Sequence, residues 1–147
     1  LYRHFRALDP SRIWNAASGW FKNSDSDVQS EHIYFGSLKM KPTGRRPLPL
    51  TELGGYSCAL EGHRFNPDEE YGYQKYPTTE EFQTALEKLY REGILPQIRR
   101  GLCGCILTQV SDVEEETNGL VTYDRMVIKA DREAMQSLAR DLVAEME

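Results

Sequence analysis

Along the first half of the chain, short apolar runs alternate with polar, Gly- and Pro-rich connections, and helical spacing takes over in the second half. Leu1, Phe5 and Leu8 have helical spacing, and Asp9-Pro10 stops them. Arg12 to Ser18 reads as a short buried strand ended by Gly19-Trp20, and the polar residues 22–27 read as a loop. Val28 to Phe35 predicts a second strand with His32, Tyr34 and Phe35 at its far end. After a loop over 36–47, Leu48 to Thr51 predicts a third strand. It ends on Glu52, and Pro49 makes it short or irregular because proline cannot donate to a ladder. Leu53 to Pro77 has no clean period. Its tyrosines (Tyr56, Tyr71, Tyr73 and Tyr76) and Phe65 argue for an ordered loop over a site rather than disorder.

Thr78 to Arg100 is the clearest helix. Thr78 and Glu81 form a capping box, Gly93 and Pro96 predict a kink near Ile94, and Gly101 ends it. A fourth strand follows over Leu102 to Val110, then an acidic loop over 111–118 and an irregular stretch over 120–128. Asp131 caps a final amphipathic helix. The strands are apolar without clean alternation, as parallel strands covered on both faces are. The expectation is an α/β fold of parallel strands with flanking helices, its chemistry at strand C-termini.

At 147 residues the chain suits a single domain. Its net charge of −5 gives a nucleic-acid role no electrostatic support. Its three cysteines have neither a disulfide pattern nor a zinc spacing, and they read as packing thiols. No apolar run reaches the roughly 18–20 residues of a membrane span, and no glycine-rich phosphate turn follows a strand. The opening LYRHFRALDP, without an initiator Met, reads as the interior of a longer protein. That leaves localisation open between the cytoplasm and the periplasmic or secreted space.

The candidate chemistry centres on Glu52, a carboxylate at the end of an apolar strand just before Gly54-Gly55. By residue pattern alone it is equally a salt-bridge or capping carboxylate. His32, Tyr34 and Trp20 sit near the ends of neighbouring strands, as do Gln109 and Asp112, and His63 lies in the aromatic loop. The run Glu114-Glu115-Glu116 reads as a solvated loop, since no calcium-loop pattern accompanies it.

Two stretches, PLPLTELGGYS and TQVSDVEEETNGLVTYDRMVIK, together resemble glycoside hydrolase family 2, which includes β-galactosidases, β-glucuronidases and β-mannosidases. The segments LDPSRIWNAASGW and SEHIYF are compatible with the same barrel. The resemblance implies that residues 1–147 are the C-terminal half of a (βα)8 TIM barrel, strands five to eight. It makes Glu52 the nucleophile and Tyr34 the tyrosine that orients it, with His32, Trp20, Gln109 and Asp112 as substrate contacts. It implies retaining hydrolysis of β-glycosides with a carbohydrate as partner and no metal or cofactor. The family's acid/base is the glutamate of an Asn-Glu pair, and no such pair occurs in this sequence. The segment alone is therefore expected to be inactive, and either to self-associate or to join the missing N-terminal half barrel. The alternative is a non-catalytic carbohydrate-binding or interaction module on a degenerate barrel. Leu107-Thr108 stands where better-known members carry a tryptophan, which leaves the sugar open.

Overall fold

The computed structural model describes residues 1–21, 25–36, 38–41 and 44–147. Parts of the loops expected over 22–27 and 36–47 lie outside these residues. The apolar run that begins at Leu48 forms the central strand, β2 (Leu48–Gly54), between β1 (Glu31–Ile33) and β5 (Leu102–Thr108), and all three strands are parallel. Two further strands, β3 (Tyr56–Ser57) and β4 (Gln74–Lys75), pair in parallel as a separate ribbon inside the segment expected as an ordered loop. The fold is mixed α/β. Among the described residues the strands form an open three-stranded sheet, not a closed barrel.

β2 is longer than the run 48–51 suggested and takes in Glu52, Leu53 and Gly54. Leu48, Leu50 and Leu53 point into one core with Tyr90, Ile94, Leu102 and Leu138. Pro49 is accommodated by a slip of register. Leu48 pairs with Leu102 but Pro49 pairs with Gly104, so the ladder skips a residue of β5 where the N–H is missing.

The region 78–100 is a broken helix, as expected. Its first part is α2 (Thr79–Lys88), and the Thr78 side chain accepts a hydrogen bond from the Glu81 amide at 3.2 Å. Between Leu89 and Ile94 the coil widens to a π-helix, which α3 (Leu95–Ile98) follows. The reason is Pro96, whose missing N–H and ring disrupt normal α-helical bonding. The Leu95 amide instead reaches back five residues to the Tyr90 carbonyl. Gly93 leaves room for the Leu38 side chain, which would meet a Cβ there at 2.6 Å.

α4 (Arg132–Met146) begins where expected, with the Asp131 carboxylate accepting from the Ala134 amide at 2.7 Å. Phe82 and Leu86 of α2 join Cys58 and Ala130 in a second core, and Leu107 and Met135 pack against both cores. α1 (Tyr2–Leu8) covers residues of helical spacing and buries none of them. It is tied down by Asp27, which accepts from Tyr2 and Arg6, and by Phe5 stacked on Trp14.

Arg12 to Ser18 is not a strand. Its main chain is held largely by side chains: Asp27 accepts from the Trp14 amide at 2.8 Å and Ser26 from the Ala16 amide at 3.1 Å, and Ser30 donates to the Ala17 carbonyl at 3.0 Å. These bonds satisfy the backbone without a ladder. The second strand shrinks to β1; before it the Gln29 amide donates to the Pro47 carbonyl outside the ladder, and the Ser30 hydroxyl donates to the Ala17 carbonyl. Among the described residues no helix is long and apolar enough to cross a membrane.

Candidate active site

Glu52 owes its position to an irregularity in β2. On the β1 side Glu31 pairs with Leu50 and His32 with Glu52, so one step along β1 spans two along β2. On the β5 side Leu50 pairs with Cys105 and Leu53 with Leu107, so two steps span three. Both neighbours therefore record one extra residue in β2 beside Glu52. A bulge of this kind re-aims a side chain and ends regular pairing. The two glycines that follow have φ of +87° (Gly54) and +65° (Gly55), a region other residues enter at a cost. A Cβ on Gly55 would lie 2.5 Å from the Tyr73 ring and 3.2 Å from that of Tyr34. Gly55 is thus the point where two aromatic rings close onto the main chain.

The Glu52 side chain remains 45% exposed, and polar groups converge on one of its oxygens. The Tyr34 hydroxyl donates to Oε2, and His32 Nδ1 lies 3.4 Å from the same atom. Among the described residues Oε1 has no hydrogen-bond partner. Burial pushes the Tyr34 hydroxyl well above its ordinary pKa, and the bond to Glu52 pushes it further. A hydrogen bond from the Thr108 side chain opposes both. Tyr34 thus stays protonated and able to donate.

The far side of the His32 ring is fixed as well. Nε2 is 2.6 Å from Ser18 Oγ, which is 3.1 Å from Thr51 Oγ1, and Gly19 at φ +70° lets the chain lie against the ring face. Trp20 is 73% exposed, and its Nε1 donates to the His32 carbonyl at 3.2 Å. Its ring therefore stands at the rim of the site. Ser18, His32 and Glu52 follow one another in the order of a serine-hydrolase relay. The His32–Glu52 separation is longer than a good hydrogen bond, and Glu52 already accepts from Tyr34.

The aromatic loop supplies the next wall. Tyr73 stacks on Tyr34 with centroids 4.1 Å apart, Phe35 meets Tyr73 edge-on at 5.1 Å, and Tyr71 does so at 5.8 Å. Burial raises the Tyr73 hydroxyl first, then Tyr71, then the charges of Glu116 and Glu52. Tyr56 and Tyr76 instead pack against the second core. His63 pairs with Asp124 at 2.8 Å, away from Glu52.

The structure brings Glu52, Tyr34, His32 and Trp20 together. Gln109 follows Thr108 at the end of β5 and turns to other partners: its Nε2 donates to Glu116 Oε2 at 2.9 Å and to Asn118 Oδ1 at 2.7 Å. Asp112 is not brought to this site. It is 2% exposed and accepts from Lys129 Nζ at 2.7 Å and from the Gly119 amide at 2.8 Å. Lys129 Nζ also donates to the Cys58 and Thr117 carbonyls. Burial pushes the Asp112 carboxyl up and the Lys129 ammonium down, and their mutual contact opposes both. The pair is an internal staple between the 111–119 loop and the segment leading to α4.

Sequence reasoning missed Ser18, Thr108, Glu116 and Asn118. Glu116 was masked by the acidic run around it, and only the backbone pairing of Tyr71 with 115–117 reveals where it points. A groove of about 1150 Å³ lies elsewhere, along α2 and the π-helix, and includes none of these groups. No family model matches this sequence, and no curated protein matches it. The basis for a function is therefore the geometry and chemistry of these side chains.

Proposed function

We propose that this chain carries the nucleophile half of a retaining β-glycosidase active site, as the C-terminal half of its catalytic (βα)8 barrel. The observation that carries the reading is the Tyr34 hydroxyl donating to Glu52 Oε2 at a bulge near the C-terminal end of a central parallel strand. Retaining hydrolysis needs a carboxylate nucleophile about 5–5.5 Å from a second carboxyl. Tyr34 and His32 both meet Oε2, so Oε1 is the attacking oxygen. It forms a bond to the anomeric carbon as the bond to the leaving oxygen breaks, and that oxygen takes a proton from the second carboxyl. Water then gives a proton to that same residue and attacks the anomeric carbon, releasing Glu52. Tyr34 holds Oε2 throughout and stabilises the carboxylate as it departs.

In this reading the second carboxyl comes from outside these 147 residues, on a longer chain or a partner, and the segment alone is inactive. The aromatic walls of Tyr34, Tyr73 and Trp20 suit the apolar face of a sugar ring.

The test is to treat the longer chain containing this segment with a panel of activated 2-deoxy-2-fluoro β-glycosides, then map any adduct by peptide mass spectrometry. An adduct on Glu52 is expected, because such reagents are attacked but turn over slowly. Labelling on another carboxylate overturns the assignment of the nucleophile. A folded chain that binds glycosides and takes no label is a carbohydrate-binding module instead. Capture of a fluorophosphonate on Ser18 would replace the glycosidase with a serine hydrolase.

A further inference from the structure

Glu116 is held by two neighbouring amide side chains. Gln109 Nε2 donates to its Oε2 at 2.9 Å, and Asn118 Nδ2 reaches the same atom at 3.4 Å. Gln109 Nε2 also ties the two partners together through Asn118 Oδ1 at 2.7 Å. Asn118 is 3% exposed, so the clamp is anchored in the interior. The main chain is fixed on both sides of Glu116: the Tyr71 amide donates to the Glu115 carbonyl at 2.7 Å, and the Thr117 amide to the Tyr71 carbonyl at 3.2 Å. Amide N–H groups only donate, so Oε2 is engaged as an acceptor. Among the described residues Oε1 has no hydrogen-bond partner, and the residue is only half-buried.

Glu116 bridges to the main chain of Tyr71, which ties the clamp to the tyrosines beside the nucleophile. Gln109 follows Thr108, which pairs with Gly54 at the end of β2, and Tyr71 contacts Tyr73, which stacks on Tyr34. The charges of Glu116 and Glu52 both bear on the Tyr73 hydroxyl, and among the described residues each carboxylate has hydrogen-bond partners on one oxygen only. A carboxylate oxygen beside an aromatic face is a recurring way to hold a polyhydroxylated ring, since the oxygen accepts hydroxyls while the ring covers C–H groups. Both groups that hold Glu116 donate to it, so the clamp fixes it as an acceptor.

We infer that Glu116, clamped by Gln109 and Asn118, is a substrate-binding residue that accepts sugar hydroxyls beside Tyr71 and Tyr73. The inference rests on the glycosidase reading and adds a specificity determinant to it.

The test uses the longer chain and the fluoroglycoside that labels the wild type, with Glu116→Gln and Glu116→Asp as variants and urea unfolding as the check on folding. The expected result is a weakening of the inactivation constant by about ten- to a hundredfold, as for the loss of a hydrogen bond to a charged group. The label should still fall on Glu52. The second readout is a set of monodeoxy glycosides. One of them should bind the wild type about tenfold or more weaker than the parent sugar, and Glu116→Gln should no longer distinguish the two. A merely structural Glu116 would not produce that loss of discrimination. If the variants label within about twofold of the wild type, or keep full discrimination, the inference is wrong while the glycosidase reading stands. If the wild type takes no label from any sugar, both fall together. If Glu116→Gln does not fold, the same comparison on Glu116→Asp decides, because its shortened carboxylate keeps the charge and moves the accepting oxygen.

Discussion

The Tyr34 hydroxyl decides what Glu52 can do. It donates to one oxygen and leaves the other open, and its raised pKa keeps it a donor well beyond neutrality. The sign follows from the protonated form being the favoured one: the contribution is complete below the ordinary tyrosine value of about 10 and is lost only as pH rises through the higher folded value. Tyr34→Phe in the longer chain should therefore lower the labelling rate at Glu52 by about ten- to a hundredfold. The wild-type rate should show no alkaline loss from tyrosine near pH 10. A rate against pH profile of both proteins checks this, and equal rates would remove Tyr34 from the mechanism. Asp112 and Lys129 give the other residue-scale test. Lys129→Met leaves a buried carboxylate without its partner, so urea unfolding should show a loss of roughly 3–5 kcal/mol. The double change Asp112→Leu with Lys129→Met should recover much of it.

At the scale of the element, the sequence disclosed what depends on local chemistry and hid what depends on pairing. The capped helices at Thr78 and Asp131 were legible because a hydroxyl or carboxylate before a periodic run has few other uses. The break before Pro96 was legible for the same reason, though not that it would take the form of a π-helix. The strand at Leu48 and the carboxylate near its end were legible from the apolar run. The bulge that aims Glu52 was not, because it exists only in the registers of two neighbours. Arg12 to Ser18 misled because an apolar run reads as a strand whether its amides meet a ladder or the side chains of Ser26 and Asp27. Asp112 misled because a strand-end carboxylate looks the same whether it faces a cleft or a buried lysine.

The turn over 122–127 is held by a device that can be titrated. Asp124 accepts from the Thr122 hydroxyl at 2.7 Å, His63 Nδ1 at 2.8 Å and the Met126 amide at 3.0 Å, and its pKa is held down to about 2, with Thr122 the leading cause. A depressed carboxylate contributes stability that is complete above its unfolded value of about 4 and is lost as pH falls through 2. The Met126 amide resonance should titrate with a midpoint near 2. A midpoint near 4 would mean that the turn does not hold the charge.

At the scale of the molecule, the three-stranded sheet has two open edges among the described residues. β1 and β5 are both edges among the described residues, and an unpaired parallel edge presents free N–H and C=O groups. β5 turns Leu102, Cys105 and Leu107 toward the core while Ile106 is 60% exposed, and Ile13 and Val110 are also exposed. Parallel strands are stable chiefly when both faces are covered, and here α2, α3 and α4 supply cover through the cores that Leu107 and Met135 join. The chain lowers its free energy by burying the exposed Ile106 and Val110 against a second copy. Sedimentation of the 147-residue chain should therefore give a mass above that of one chain, rising with concentration. Ile106→Lys should shift the equilibrium toward the single chain, because a charge on the buried face would have to be desolvated. If the chain sediments as a single copy at high concentration and binds no dye that reports exposed apolar surface, then the open face is covered by the segment itself, and the half-barrel reading loses its structural support.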